Sequence, residues 1–288
     1  MSGICKLCHQ EKKLKESHII PKFVFRWIKE SGNGFMRNGQ NFNRRVQDGF
    51  KTPFLCADCE DRFSKYETYF ATNIFYPVVN EKEDELEYTD QLYLFAISVL
   101  WRLLCHTILP EEKSVHYYKN LITLELEWRT ILLNGKTSRR ELNLHLLTGV
   151  DVATPMAGQP IVIPERFLLY MARNVDAGIT DNRTKAMLFL KLPRFLFIYP
   201  LHGFDNQQFI NSALSSKGGM YYLNDVKIND PDVGNFFTNR VKMFEGMLED
   251  MSQKQKDKMR NFTDETWPDV ENKDLGVIYK YQQQINKV

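Results

Sequence analysis

Cys5-Lys6-Leu7-Cys8 and Cys56-Ala57-Asp58-Cys59 carry four of the chain's five cysteines, and their reading decides how the first seventy residues fold. A two-residue gap lets both sulfurs of a turn face one ion, so two such pairs read as a structural Zn²⁺ site with Cys5, Cys8, Cys56 and Cys59 as ligands. The competing readings are a redox pair and chance. A redox pair normally belongs to a thioredoxin-like pattern of strands and helices, and no such pattern is expected here. The start, Met1-Ser2-Gly3-Ile4-Cys5, lacks the basic end and apolar stretch of a secretory signal. A cytoplasmic, reducing setting is therefore expected, in which thiols bind metal rather than pair as disulfides. Cys105 lies in an apolar run and reads as a core thiol.

Between the pairs, Ser17-His18-Ile19-Ile20-Pro21 reads as a short strand ended by proline. Phe23 and Trp27 then fall at spacing four, with Val24 and Ile28 beside them, so a short helix is expected over Lys22–Glu30 behind the helix-starting Pro21. Ser31 to Phe50 is rich in Gly, Asn, Gln and Arg without a period, which suggests hairpin and loop. Lys51 to Leu55 reads as a strand running into the second pair. Phe63, Tyr66, Phe70 and Ile74 repeat at three and four, so a helix should begin near Asp58, whose side chain would cap it, with Glu60 and Asp61 at its positive end. One pair in a knuckle and the other in a helix's first turn is the treble-clef way of closing four ligands on zinc, and it couples helix burial to metal binding.

Outward from this module, the acidic stretch Asn80 to Asp90 is the expected boundary between residues 1–80, the zinc module, and residues 81–288, a larger α+β domain. Gln91 to Leu109 is apolar enough to suggest a membrane span, but Arg102 and His106 interrupt it and favour a buried helix. Tyr117, Leu121, Leu124 and Trp128 continue the helical half, followed by a basic turn at Ser138-Arg139-Arg140. Ile161-Val162-Ile163, Arg166 to Ala172 and Ala186 to Tyr199 read as antiparallel strands. Val241, Phe244, Leu248 and Met251 return to helical spacing, with Gln253 to Lys258 as a solvated continuation of one long C-terminal helix. The fold class is α+β: a small treble-clef/ββα zinc module, then helices, antiparallel strands and that helix.

The chain has 288 residues, with 38 Lys+Arg against 36 Asp+Glu, so no whole-surface coating of nucleic acid is expected. The balance is local instead. Residues 1–66 hold 13 basic against 7 acidic side chains, and residues 67–90 hold 1 against 7. Basic charge and cysteines share one segment.

Cys5-x-x-Cys8, Ser17-His18-Ile19-Ile20-Pro21 and Leu55-Cys56-x-x-Cys59 together resemble the HNH endonuclease module on a zinc-knuckle framework, over about residues 1–70. The resemblance implies a ββα fold in which His18 is the general base on a water attacking a phosphodiester. It also implies one hard divalent ion, Mg²⁺ or Mn²⁺, that stabilises the developing charge. Ser17 stands where that family carries an acidic residue or histidine. Glu60 stands where it often carries His or Asn, and either ligates the hard ion or is first-turn helix charge. The family's middle Asn has no clear counterpart; Lys51 and Thr52 lie about where it would be, and Asn41, Asn43 and Asp48 occupy the same stretch. Independently, cutting an anionic backbone needs a base near neutral pH, a held cation and surrounding positive charge. His18 could supply the first, or instead hydrogen-bond a carbonyl to lock the knuckle, or bind zinc. Lys12, Lys13, Lys15, Lys22, Arg26, Arg37, Arg44 and Arg45 could hold phosphates, with Phe35 and Phe42 as stacking surfaces, or form a solvated face. His9 reads as a knuckle-surface residue; His106, His116, His145 and His202 read as isolated and structural.

Three functions compete. One is a metal-dependent DNA endonuclease with His18 and Glu60 catalytic and Lys22, Arg26, Arg44 and Arg45 on the nucleic acid, an arrangement that suits bacterial or phage-related defence by fold-level analogy. The second is a zinc-stabilised module that grips nucleic acid or protein without cutting. The third places the function, and a protein partner or second copy, in the C-terminal domain.

Overall fold

Paired strands hold both cysteine pairs in the computed structural model, which describes residues 2–39, 41–81, 83, 85–136, 141–148, 164–223 and 225–285. β1 (Ser2–Ile4) turns through the first pair into β2 (Glu11–His18), and Pro21 then opens α1 (Lys22–Glu30), which buries Val24 and Trp27. The polar stretch that follows forms the hairpin β3 (Met36–Asn38) and β4 (Asn41–Val46). β5 (Lys51–Cys56) pairs with the free edge of β2, giving the order β1-β2-β5, and passes directly into α2 (Ala57–Phe70). The expected cap at Asp58 is corrected. Cys56 is the cap residue and no side chain caps it, so Asp58 already lies inside the first turn, where its carboxylate takes Lys12 Nζ at 2.7 Å.

After α2 the chain winds through two π-helical turns, Ala71–Phe75 and Pro77–Glu81, into β6 (Glu85–Tyr88). The acidic stretch expected as a boundary is thus partly a strand. Its alternation turns Leu86 and Tyr88 inward and Glu85 and Glu87 outward, which lets a charged run pair as sheet. α3 (Asp90–Leu103) starts at Thr89, whose side chain accepts from the Gln91 N–H, and is buried along almost its whole length. It continues through a π-helical turn (Leu104–Ile108) and α4 (Leu109–Glu111) before α5 (Tyr118–Asn134), which ends on Gly135 in the left-handed region. Asp90–Glu111 is long and apolar enough to cross a membrane, yet 78% of its most apolar window is buried inside the protein.

The second half is built on β7 (His145–Thr148), α6 (Phe167–Arg173), β8 (Asp176–Asp181), β9 (Ala186–Leu192) and β10 (Phe195–His202), the strands forming an antiparallel sheet in the order β7-β10-β9-β8. The strand expected over Arg166 to Ala172 is corrected to a helix. That run is apolar on every side, so it has no period by which to tell a buried helix from a buried strand. β11 (Phe209–Ile210), β12 (Gly219–Tyr222) and β13 (Lys227–Ile228) add two short ribbons, β11 with β13 and β12 with β6. The single long C-terminal helix is corrected to three: α7 (Pro231–Glu249), α8 (Gln253–Val270) and α9 (Asp274–Ile285). The break comes where Met251 is buried and the Ser252 N–H donates to Asn43 Oδ1 at 2.8 Å, anchoring the turn on the β3–β4 hairpin. Ser138-Arg139-Arg140 and Ile161-Val162-Ile163 lie outside the described residues.

One apolar cluster runs from the knuckle to the sheet and crosses the expected boundary at residues 80 and 81. Phe63 meets Trp101 edge-on at 5.9 Å, Phe70 stacks on Phe95 at 3.9 Å, and Phe75 stacks on Phe195 at 5.7 Å. The helix that carries Cys59 is therefore fixed by aromatic contacts to α3 and β10 as well as by its cysteines. Phe70 is fully buried, so Phe70→Ala should cost about 3–5 kcal/mol of unfolding free energy in urea melts; a loss under about 1 kcal/mol contradicts this packing.

His145 is buried between Ser212 Oγ at 3.0 Å and Asn143 Oδ1 at 2.8 Å, and burial pushes its pKa down to about 4. Its unfolded counterpart takes up a proton from about pH 6.5 downward, so the native state keeps its full stability above that pH and loses it between about 6.5 and 4, by up to about 1.4 kcal/mol per unit. His145→Gln should flatten that slope in pH-dependent melts; an unchanged slope contradicts the assignment.

Candidate metal centre and its flanking residues

The first pair sits in a turn that the backbone closes on itself. The Cys5 N–H donates to Gln10 O, the His9 N–H to Cys5 O, and His9 takes a left-handed conformation at φ 57°. The Lys6 N–H donates to Phe54 O at 3.1 Å, which ties this turn to β5 just before the second pair. The four sulfurs of Cys5, Cys8, Cys56 and Cys59 lie within 4.8 Å of one another, and Cys8 and Cys56 approach to 3.9 Å. Four sulfurs at the usual Zn–S distance of ~2.3 Å stand about 3.8 Å apart at tetrahedral corners, so the donor set fits zinc. Among the described residues this is the one group of three or more potential metal donors brought so close together.

Electrostatics supports a cation there. Burial pushes the Cys59 thiol far up and raises Cys8. Burial also pushes Cys5 up, but backbone N–H groups of Cys8, Cys56 and Leu7 outweigh it and hold that thiol below its ordinary value. Sulfurs so close cannot all ionise on their own, because each thiolate repels the next in a largely dry site. A divalent ion held by all four would remove that penalty and keep every ligand deprotonated.

The same frame presents the residues of the expected active site. Consecutive residues of β2 point to opposite faces, and the fully buried Ser17 donates to Glu60 Oε2 at 2.6 Å across to the first turn of α2. The two positions where the resemblance implies ion ligands are therefore neighbours. His18, one residue on, places Nε2 3.0 Å from Asp48 Oδ2. Asp48 also accepts the Gly49 N–H, and although burial acts the other way, these bonds and the charges of His18 and Lys22 hold its carboxyl below the usual range. β5 sets Thr52 opposite Ser17 and Lys51 opposite His18.

The sequence does not single out Asp48 as His18's partner, since α1 and the β3–β4 hairpin lie between them and no spacing rule joins positions thirty apart. In the sequence Arg102 stands out only as an interruption of an apolar stretch. Fully buried on α3, it donates to His18 O at 2.8 Å and to Ser98 O, and pairs with Glu67 of α2 at 2.8 Å. An arginine inside an apolar run was the available signal, because a buried charge must find a partner.

The basic and aromatic residues divide. Lys22, Arg26 and Arg44 are exposed. Arg45 lies over the Phe35 ring at 3.8 Å, and Phe42 packs edge-on against Phe244 of α7 at 5.6 Å. Arg37 turns inward to Phe42 O and Gln255. The expectation of Phe42 as an open stacking surface is therefore corrected: its ring is spent on docking the hairpin. His106 contacts Phe50 and Phe54. His116 and His202 are not isolated, since their rings approach to 5.4 Å beside Tyr117.

No family model matches the chain, and no curated protein or solved structure matches it.

Cys5→Ser and Cys56→Ser should each drop bound zinc well below one per chain by elemental analysis, and lower the melting temperature. Full zinc retention in both variants would overturn the four-sulfur assignment.

Proposed function

We propose that the chain is a metal-dependent, HNH-like nuclease that hydrolyses phosphodiester bonds of DNA, with zinc on the four cysteines as a structural ion. The observation that carries this reading is the His18–Asp48 pair at the end of β2. Asp48 occupies Nε2, which fixes the ring and leaves Nδ1 as the nitrogen free to take a proton. A water placed at Nδ1 gives up that proton as its oxygen attacks phosphorus. The phosphorus bond to the leaving oxygen then breaks, and that oxygen takes a proton from solvent. Glu60, with the oxygen not engaged by Ser17, could hold a Mg²⁺ or Mn²⁺ together with phosphate oxygens and water, a ligand set such ions accept. A bound ion of that kind supplies charge stabilisation on the phosphate and the leaving oxygen. Lys22, Arg26, Arg44 and Arg45 supply phosphate contacts around the site.

One observation favours a second reading, in which the module binds nucleic acid without cutting it. Ser17 and Glu60 satisfy each other at 2.6 Å, so the positions of the ion ligands are closed by a hydrogen bond that needs no ion.

A plasmid-nicking assay separates the two. With Mg²⁺ or Mn²⁺ present, the wild type should nick supercoiled DNA, His18→Ala should lose at least about 100-fold, within the range a positioned base contributes, and Asp48→Asn should lose rate and shift the pH profile. Salt-sensitive DNA binding with no nicking under either ion would refute the nuclease reading and leave the binding one.

A further inference from the structure

Several cations among the described residues are paired with the chain's own carboxylates. Arg102 pairs with Glu67, Arg173 and Arg194 with Asp274, Arg240 with Asp176, and Lys12 with Asp58. Along α1 the pattern changes. Lys22, Arg26 and Lys29 fall at i, i+4 and i+7, which sets them on one face of the helix. The row spans about 10 Å at the usual rise per residue.

Both ends of the row touch the segment that carries Asp48: the Lys22 charge helps hold down the Asp48 carboxyl, and Lys29 Nζ donates to the carbonyl of Gln47, the residue before Asp48. The far end of the row opens into a cavity of about 640 Å³ between α1 and the end of α8. Arg26 and Lys29 line one side, while Lys273 and Asp269 line the other around Val270. Lys273 belongs to the turn between α8 and α9, and that turn is held in place. Asp274 takes both Arg173 and Arg194, and the Leu275 N–H donates to Ser31 O just past the end of α1.

We infer that this groove is a track for the sugar–phosphate backbone of a nucleic-acid strand, with α1 as one wall and the α8–α9 turn as the other. The proposal rests on the nuclease reading and extends it, because it gives the C-terminal helices a part in holding substrate. Neither Arg26 nor Lys273 has an ion-pair partner among the described residues, and both are exposed toward the groove. Their two sides face each other across the gap, as phosphate contacts on one strand require. Glu30 and Asp269 also line the cavity, so the wall carries three cations against two carboxylates. That balance favours a backbone gripped at a few points over a compact polyanion. The basic row leads the strand from the groove to the reactive end of β2. The Asp274 pairs explain why the far wall keeps its place: a lysine that must meet a phosphate gains from a turn fixed by two buried-side arginines.

The test is fluorescence anisotropy of a labelled DNA duplex with the full-length, zinc-loaded protein and no added Mg²⁺ or Mn²⁺, over a salt series. Arg26→Glu and Lys273→Glu should each weaken binding about tenfold or more, and each should lower the slope of log affinity against log salt by about one. Circular dichroism and melting temperature should stay as in the wild type, since both side chains are exposed. If the wild type binds but Lys273→Glu binds equally with an unchanged slope, the groove is not the track, and the nuclease reading is untouched. If the wild type shows no salt-dependent binding, the nuclease reading fails and the track falls with it.

Discussion

Four sulfurs drawn from two ends of a fifty-residue loop are the constraint on which the rest of the N-terminal structure depends. Within 4.8 Å of one another and largely buried, they repel once ionised, so all four can be thiolates together only around a cation. Closing a long loop with such a clip removes more chain entropy than closing a short one. What the clip fixes is specific. It sets the end of β5 and the first turn of α2 against the β1–β2 hairpin, and so determines where Ser17 meets Glu60 and where His18 leaves the sheet.

The module does not stand alone. Arg102 reaches from the last turn of α3 to the carbonyl of His18 and to Glu67, and it is 1% exposed, so losing Glu67 would leave a buried charge without its ion partner. The aromatic ladder through Phe63, Trp101, Phe70, Phe95, Phe75 and Phe195 ties α2 to the helices and sheet behind it. On the far side, Asp274 at the start of α9 binds Arg173 of α6, whose guanidinium also reaches Ile28 O of α1, and Asn43 holds the turn before α8 on the β3–β4 hairpin. Disturbing the sulfur cluster should thus reach the larger part of the chain, and a change in the C-terminal helices should reach the basic face.

Much of the frame was legible because its signals are local. The α1 boundaries follow from Pro21 and the Phe23/Trp27 spacing, and the α2 stripe from Phe63 to Phe70 follows from its period of three and four. The proximity of Ser17 to Glu60 was legible only through the family resemblance. Three things were not readable for physical reasons. Phe167 to Ala172 is almost wholly apolar, so no period marks it as a helix. The acidic run at Glu85 to Tyr88 hides a strand because its inward residues, Leu86 and Tyr88, are only half of it. Asp48 reaches His18 through loop closure between β4 and β5, which no pairwise spacing encodes.

The most direct test of the central claim is X-ray absorption at the zinc edge on the purified protein. The four-sulfur frame predicts one zinc per chain with a first shell of four sulfurs at ~2.3 Å and no nitrogen or oxygen. A shell that includes imidazole or carboxylate, or protein that folds fully with no zinc at all, would contradict it.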